Sequence, residues 1–126
     1  MKKIILLLSC TIGLYSCATT HDYFSIVPTS SNNISGLWTG QFNTLVATLK
    51  LKSDGTGIIC QDHLGTARVM SVKLSNDRLY SQDGTYWKLI QISPQVMKLN
   101  YAVGGGYTLQ KDDGGNLVSP ACKEKI

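Results

Sequence analysis

The stretch LVATLKLKSDGT, from Leu45 to Thr56, decides the fold class of this chain. Apolar residues occupy every second position of its first half: Leu45, Ala47, Leu49 and Leu51. Since strand side chains point alternately to the two faces of a sheet, this pattern predicts a strand with one buried and one solvated face. Asp54-Gly55 follows, a dipeptide typical of tight hairpin turns. The stretch therefore predicts one arm and the turn of an antiparallel hairpin.

The same alternation recurs along the chain. Its further apolar sets are Met70, Val72 and Leu74, then Met97, Leu99, Tyr101 and Val103, then Tyr107 and Leu109. Turn signals separate them, among them Asp83-Gly84, Ser93-Pro94 and Asp113-Gly114. We count about eight short strands between residues 34 and 111 and no pattern that needs a helix. The fold class is all-β, an antiparallel meander that hides its edges as a small β-barrel or, alternatively, as a two-sheet β-sandwich.

The N-terminus has the layout of an export signal. Lys2 and Lys3 are followed by an apolar run from Ile4 to Leu14 and by a small residue, Ser16. The run is too short for a membrane-spanning helix, which needs about 20 apolar residues. Residues 1–16 are therefore predicted to be a signal peptide.

Leu14-Tyr15-Ser16-Cys17 resembles the lipobox of bacterial lipoproteins, with its Leu, small residue and obligatory Cys. The resemblance implies that Cys17 carries diacylglycerol and palmitate and anchors the chain to a membrane. Leu7-Leu8-Ser9-Cys10 also fits but leaves a shorter apolar run, so Cys17 is the better acceptor. The residue after the cysteine is Ala18, as in Gram-negative lipoproteins that are sorted to the outer membrane. The resemblance therefore implies an outer-membrane location in which the domain faces the periplasm.

Removal of 16 residues from 126 leaves 110, enough for one small domain. Residues 17–33 mix Thr, Ser, Asn and Pro28 with a few apolar residues, which predicts an extended, lipidated tether that can dock one short strand. Residues 34–126 are predicted to be the β-barrel-like domain.

Two cysteines remain in that domain, Cys60 and Cys122. An even pair in a chain exported to an oxidising compartment predicts a disulfide. The competing interpretation makes Cys60 a nucleophile that His63 activates. No other catalytic arrangement is visible, so we expect a protein that is not an enzyme, with no catalytic residues and no cofactor.

Charge argues against a nucleic-acid partner. Two of the 12 basic residues leave with the signal, so ten face eight acidic ones, a net charge of +2, and the lysines are spread along the strands. The acidic side chains fall in turn motifs without the spacing of a calcium loop, so no metal site is expected at Asp54, Asp83, Asp112 or Asp113. Gly104-Gly105-Gly106 lacks the lysine of a phosphate-binding loop and predicts a turn.

A second resemblance begins at Gly36-Leu37-Trp38 and continues through Leu49-Lys50-Leu51 to Asp54-Gly55-Thr56-Gly57. It is similar to the start of lipocalin-like domains, whose first strand carries Gly-x-Trp, and it covers about the first third of the domain. It implies a barrel that can hold a ligand. The alternative for an interior of this size is that side chains alone fill it.

Aromatic residues on the strands are the candidate site. Trp38, Trp87, Tyr101 and Tyr107 form either the core or the lining of a ligand site, with Tyr80 and Tyr86 nearby in sequence. Two functions follow. The first is a non-catalytic module that binds an apolar or lipid-like small ligand. The second is a protein-interaction or structural lipoprotein, in the manner of small β-barrel lysozyme inhibitors. An open apolar cavity would favour the first, and a filled core with an unusual outer patch the second.

Overall fold

The computed structural model describes residues 22–126, so the predicted signal peptide and Cys17 lie outside the described residues. In residues 22–126, eight strands are joined as an antiparallel meander: β1 (Gly36–Phe42), β2 (Leu45–Leu51), β3 (Thr56–His63), β4 (Thr66–Ser75), β5 (Arg78–Ser81), β6 (Tyr86–Ser93), β7 (Val96–Tyr101) and β8 (Gly106–Lys111). β1 pairs with both β2 and β8, so the sheet closes into a barrel. The predicted all-β barrel is confirmed, and the sandwich alternative is excluded.

The two ends of the barrel differ. At the open end lie the hairpin turns of residues 43–44, 64–65, 82–85 and 102–105. At the closed end, residues 29–34 pack against the turn after β2: the Ser31 backbone N–H donates to the carbonyl of Ser53 at 2.9 Å, and Ile34 is buried in the core. Part of the predicted tether is thus folded onto the barrel.

Side chains fill the barrel interior. The largest of the fully buried side chains are Trp38, Trp87, Tyr107, Leu49, Ile59, Leu79, Met97, Leu99 and Leu109. A side chain without exposed surface adjoins no space that can hold a water molecule, inside the barrel or outside it. The described interior is therefore a packed core around these residues, which is one of the two arrangements that a barrel of eight strands allows.

Two local features differ from the sequence-based predictions. Val103 was predicted to face inward from a strand, but β7 ends at Tyr101 and Val103 lies in the turn at the open end. The reason is that a turn begins after Tyr101, whose carbonyl accepts from the Gly104 N–H at 3.1 Å, and Gly104 and Gly105, with φ of 104° and 73°, complete the reversal. A short helix, α1 (Pro120–Lys123), has too few residues to leave a periodic pattern, and Ser119 caps its start.

The C-terminal segment, residues 112–126, covers part of the outer wall. Cys122 on α1 forms a disulfide with Cys60 on β3, with 5.9 Å between their Cα atoms. Val118 and the disulfide pack against Leu37 and Val69 on the outside of the barrel. The sequence-based expectation of this pair is met, and Cys60 has no free thiol to act as a nucleophile. In the described part of the chain, no helix is long and apolar enough to cross a membrane.

Candidate functional site

The structure brings together three of the four candidate aromatics near the open end. The mouth cluster consists of Phe42, Gln61, Trp87, Tyr101 and Tyr107. The ring of Tyr101 has its centroid 5.6 Å from that of Trp87, 5.9 Å from that of Phe42 and 6.0 Å from that of Tyr107. Such tilted and edge-on contacts are the favourable arrangements for aromatic pairs. Phe42 and Tyr101 are partly exposed, whereas Trp87 and Tyr107 are fully buried.

Polar contacts hold the upper layer of the mouth cluster. The side-chain amide of Gln61 donates to the hydroxyl of Tyr107 at 2.9 Å and to that of Tyr101 at 3.3 Å. The Tyr101 hydroxyl donates in turn to that of Tyr107, at 3.3 Å. Burial, which disfavours the charged phenolate, raises the pKa of Tyr107 above its ordinary value. The phenol of Tyr107 is therefore neutral in the folded protein.

Beside Tyr101, the mouth cluster contains a polar atom without a hydrogen-bond partner. The indole Nε1 of Trp87 is buried and has no hydrogen-bond acceptor among the residues that the structure describes. An unpaired buried donor is costly, on the order of 1–3 kcal/mol. It is a specific chemical feature of the mouth cluster that an acceptor atom could satisfy.

Trp38, the fourth candidate aromatic, is elsewhere. Its indole Nε1 donates to the carbonyl of Ile34 at 2.9 Å, which fixes the crossing of residues 31–34 over the closed end. The Nζ of Lys111 lies 5.5 Å from its ring centroid. The structure thus places Trp38 in the core at the opposite end from the mouth cluster.

Two apolar side chains project at the open end. Leu64 is 78% exposed in the β3–β4 turn, and Val103 is 97% exposed in the β7–β8 turn. Leu64 also has a φ of 52°, a left-handed conformation that is unfavourable for leucine by about 1–2 kcal/mol. Periodicity cannot find such residues because they lie in turns. Only an apolar residue directly before Gly65 or Gly104 could have drawn attention to them.

The acidic side chains serve their turns. Asp54 accepts from the backbone and hydroxyl of Thr56, which lowers the pKa of its carboxyl. Asp112 accepts from the backbone N–H groups of Asn116 and Leu117, both at 2.9 Å. Asp62 accepts from Gly65 N–H at 2.7 Å, while His63 is exposed beside it. Within residues 22–126, no three His, Cys, Asp or Glu side chains are grouped so as to hold a metal ion.

A groove of about 590 Å³ lies outside the barrel, between the C-terminal segment and the edges of β1 and β2. Its apolar side is formed by Leu37, Val118 and Ile126, and lysine side chains border it. This groove thus lies on the outer wall and not in the barrel.

Replacement of Tyr107 by phenylalanine is expected to change the alkaline stability of the fold. The raised pKa means that Tyr107 contributes stability that is present below about pH 10, the ordinary tyrosine pKa, and is lost as the pH rises further. Tyr107→Phe should therefore cost about 1 kcal/mol at neutral pH and flatten the decline above pH 10. Urea unfolding at both pH values measures this. An unchanged alkaline decline would contradict the assignment.

Comparison with known proteins identifies the family of this chain. The family model described as "Bacterial lipocalin LPS transport optimiser YedD" matches residues 20–126. The chain belongs to this family. It is a bacterial lipoprotein with a lipocalin-like barrel, associated with the cell envelope. No curated protein matches the chain at a significant level.

Solved structures show the same fold. A lipoprotein YedD from Klebsiella pneumoniae subsp. pneumoniae MGH 78578 has a TM-score of 0.61 at 12% identity, over 82% of this chain and 91% of that one. A lipocalin lipoprotein that affects virulence in Streptococcus pneumoniae has a TM-score of 0.55 at 20% identity, over 68% of this chain and 100% of its own. A putative lipoprotein from the same organism has a TM-score of 0.55 at 20% identity, over 67% of this chain and 99% of its own.

Proposed function

We propose that this lipoprotein is a non-catalytic module that acts in LPS transport by binding an envelope protein at the open end of its barrel. The observation that carries the proposal is the contrast between a packed interior and an apolar rim. Trp87 and Tyr107 have no exposed surface, which favours a packed interior over a cup for a ligand. Leu64 and Val103 are exposed above them. LPS transport comes from the description of the family.

The rim has the properties of a binding surface. Exposed apolar side chains that occur singly are ordinary, but Leu64 and Val103 share one end with the partly exposed rings of Phe42 and Tyr101. The strained backbone of Leu64 is the second sign, because asparagine or glycine would fit that turn at lower cost. A leucine at a position where the backbone conformation disfavours it points to a role outside the fold.

Anchoring completes the proposed function. Cys17 would carry the lipid that holds the domain at the envelope membrane, with the outer membrane, on its periplasmic face, as the location that Ala18 favours. The mouth cluster then supports the rim from below and takes no part in chemistry. Asp62 and His63 have no role in this function.

The combined change Leu64→Asn with Val103→Ser is expected to abolish the contribution of the protein to LPS transport without loss of stability. Asparagine tolerates the left-handed conformation, so the folded state should be as stable as before or more so. The measurement is the delivery of LPS to the cell surface in a strain that lacks the native gene and carries the variant. Ile92→Ser is the matched control, since Ile92 is 55% exposed on β6 near the closed end.

Photo-crosslinking identifies the partner in the same strain. A photoreactive residue at position 64 or 103 should form a covalent adduct with a protein of the LPS transport machinery, and one at position 92 should not. If neither rim position forms an adduct, while a long-chain amphiphile shifts the emission of Trp87, the unpaired Nε1 indicates an interior ligand. The protein-binding proposal would then be wrong.

A further inference from the structure

Lysines surround the segment with which the described chain begins. The Nζ of Lys73 on β4 donates to the carbonyl oxygen of Tyr23 at 2.9 Å and lies 4.4 Å from the centroid of its ring. Tyr23 also shares a groove of about 360 Å³ on the outer wall with Lys50 and Lys52. The segment is therefore held against the barrel among three cationic side chains.

Two large apolar side chains on that segment are unburied. Phe24 is 85% exposed and Val27 is 76% exposed. Lys50 and Lys52 are exposed as well and border the groove under the C-terminal segment, together with Lys123. We name Phe24, Val27, Lys50, Lys52, Lys73 and Lys123 the basal face.

Four acidic side chains lie near these cations, fewer than the lysines of the same region, which also include Lys111 and Lys125. Asp22 caps the segment and accepts from the Phe24 N–H, and Glu124 follows Lys123. Asp113 borders the larger groove, but its carboxylate lies 4.0 Å from the Nζ of Lys111, which offsets its charge. Asp54 lies in the turn beyond Lys52 and is hydrogen-bonded to Thr56. Six lysines thus face four carboxylates here, so the basal face combines a small excess of positive charge with apolar side chains in water.

We infer that the basal face rests on the anionic surface of a lipid bilayer. Lysines beside an anionic bilayer are attracted to its phosphates, and aromatic or aliphatic side chains between them enter the boundary of headgroups and acyl chains. Chain length favours a membrane over a soluble partner. Cys17, the proposed lipid carrier, is five positions before Asp22, so about 18 Å of extended chain at most separates them.

This contact would orient the domain. Lys52 follows the last residue of β2, and Lys73 pairs with Thr56, the first residue of β3, so both lie toward the closed end. With the closed end on the membrane, the open end with Leu64 and Val103 points away from it. The inference uses the proposed anchor only for proximity, and it can fail while partner binding at the open end holds.

Vesicle binding of the unlipidated protein tests the basal face. The exported chain from residue 17 on, carrying Cys17→Ser, is mixed with vesicles of phosphatidylcholine alone or with added phosphatidylglycerol, and the bound fraction is measured by sedimentation. We expect binding only to the anionic vesicles. Lys50→Gln with Lys52→Gln should lower the partition coefficient about 30-fold. Phe24→Ser with Val27→Ser should lower it about tenfold.

Lys88→Gln with Lys98→Gln is the matched control. It removes the same charge from exposed positions on β6 and β7, on the other side of the barrel, and should leave binding within about twofold of the parent. If the two double lysine variants lost vesicle binding equally, the net charge of the protein would account for the binding, and the inference would be overturned. Release by inorganic phosphate at constant ionic strength would overturn it too, because it would indicate a phosphate site and not a bilayer contact.

Discussion

Replacement of Cys60 and Cys122 together by alanine is expected to lower the free energy of unfolding by about 4 kcal/mol, because the bridge closes a loop with a sequence separation of 62. Domains of this size are stable by about 5–15 kcal/mol, so the loss is a large share of the total. The measurement is urea unfolding followed by tryptophan emission, with Trp38 and Trp87 as buried probes.

The barrel itself should survive this change. The pairing of β1 with β8 runs from Trp38–Lys111 to Gln41–Thr108 and so lies within the strands themselves, and the circular-dichroism spectrum is expected to stay that of a β protein. The loss should include local release of residues 112–126, seen as faster hydrogen exchange at Val118 and α1. A matched control is the native protein under reducing conditions, which should behave like the variant. A loss below about 1 kcal/mol would show that the segment stays packed without the bridge.

The alternation of apolar residues predicted the strands of the barrel well, because it arises within each strand from the alternate directions of successive side chains. Leu45 to Leu51 was predicted as a strand from period two alone, and β2 has those bounds. The same pattern was extended too far at Val103, where the reversal imposed by Gly104 and Gly105 overrides it. Period two identifies the face on which a side chain lies but does not define where pairing stops.

The candidate site was only partly predictable for a related reason. Alternation indicates that Trp38 and Trp87 face inward, but their height along the barrel depends on the register of all eight strands. That register sends Trp38 to the closed end and Trp87 to the open end. Gln61 is inward-facing in the same pattern, yet its bonds to Tyr101 and Tyr107 span 40 and 46 residues of sequence.

The choice between a cup and a packed core lay beyond the sequence altogether. It depends on whether the inward-facing side chains together fill the barrel. The volume of the barrel depends on the stagger between its strands, which the sequence alone does not define. The structure shows Trp87, Tyr107 and Leu99 without exposed surface. A filled interior favours a partner at the rim over an interior ligand.

Loss of the lipid should release the protein from the membrane almost completely. Each buried CH₂ of an acyl chain contributes about 0.8 kcal/mol, so several chains on Cys17 would dominate any contact made by the basal face. Because processing of a lipoprotein signal depends on its cysteine, the variant needs an ordinary secretory leader in place of residues 1–16, together with Cys17→Ser. The measurement is the fraction of protein in washed membranes. A residual fraction that moderate salt removes is expected from the lysines, since screening weakens their attraction to anionic lipid.

Cys10→Ser with the native leader is the control that decides between the two lipobox-like sequences. It leaves Leu14-Tyr15-Ser16-Cys17 intact, so the protein should stay in the membrane and its mass should include the lipid on residue 17. Loss of lipid in Cys10→Ser would move the acceptor to Cys10 and lengthen the tether by seven residues, since 17 and 10 differ by that number. The basal face would then no longer be held within about 18 Å of the anchor, because seven more residues add about 25 Å of extended chain. Membrane retention of the leader-exchanged Cys17→Ser variant in high salt would contradict lipid anchoring itself, and would leave Phe24 and Val27 as the stronger contact.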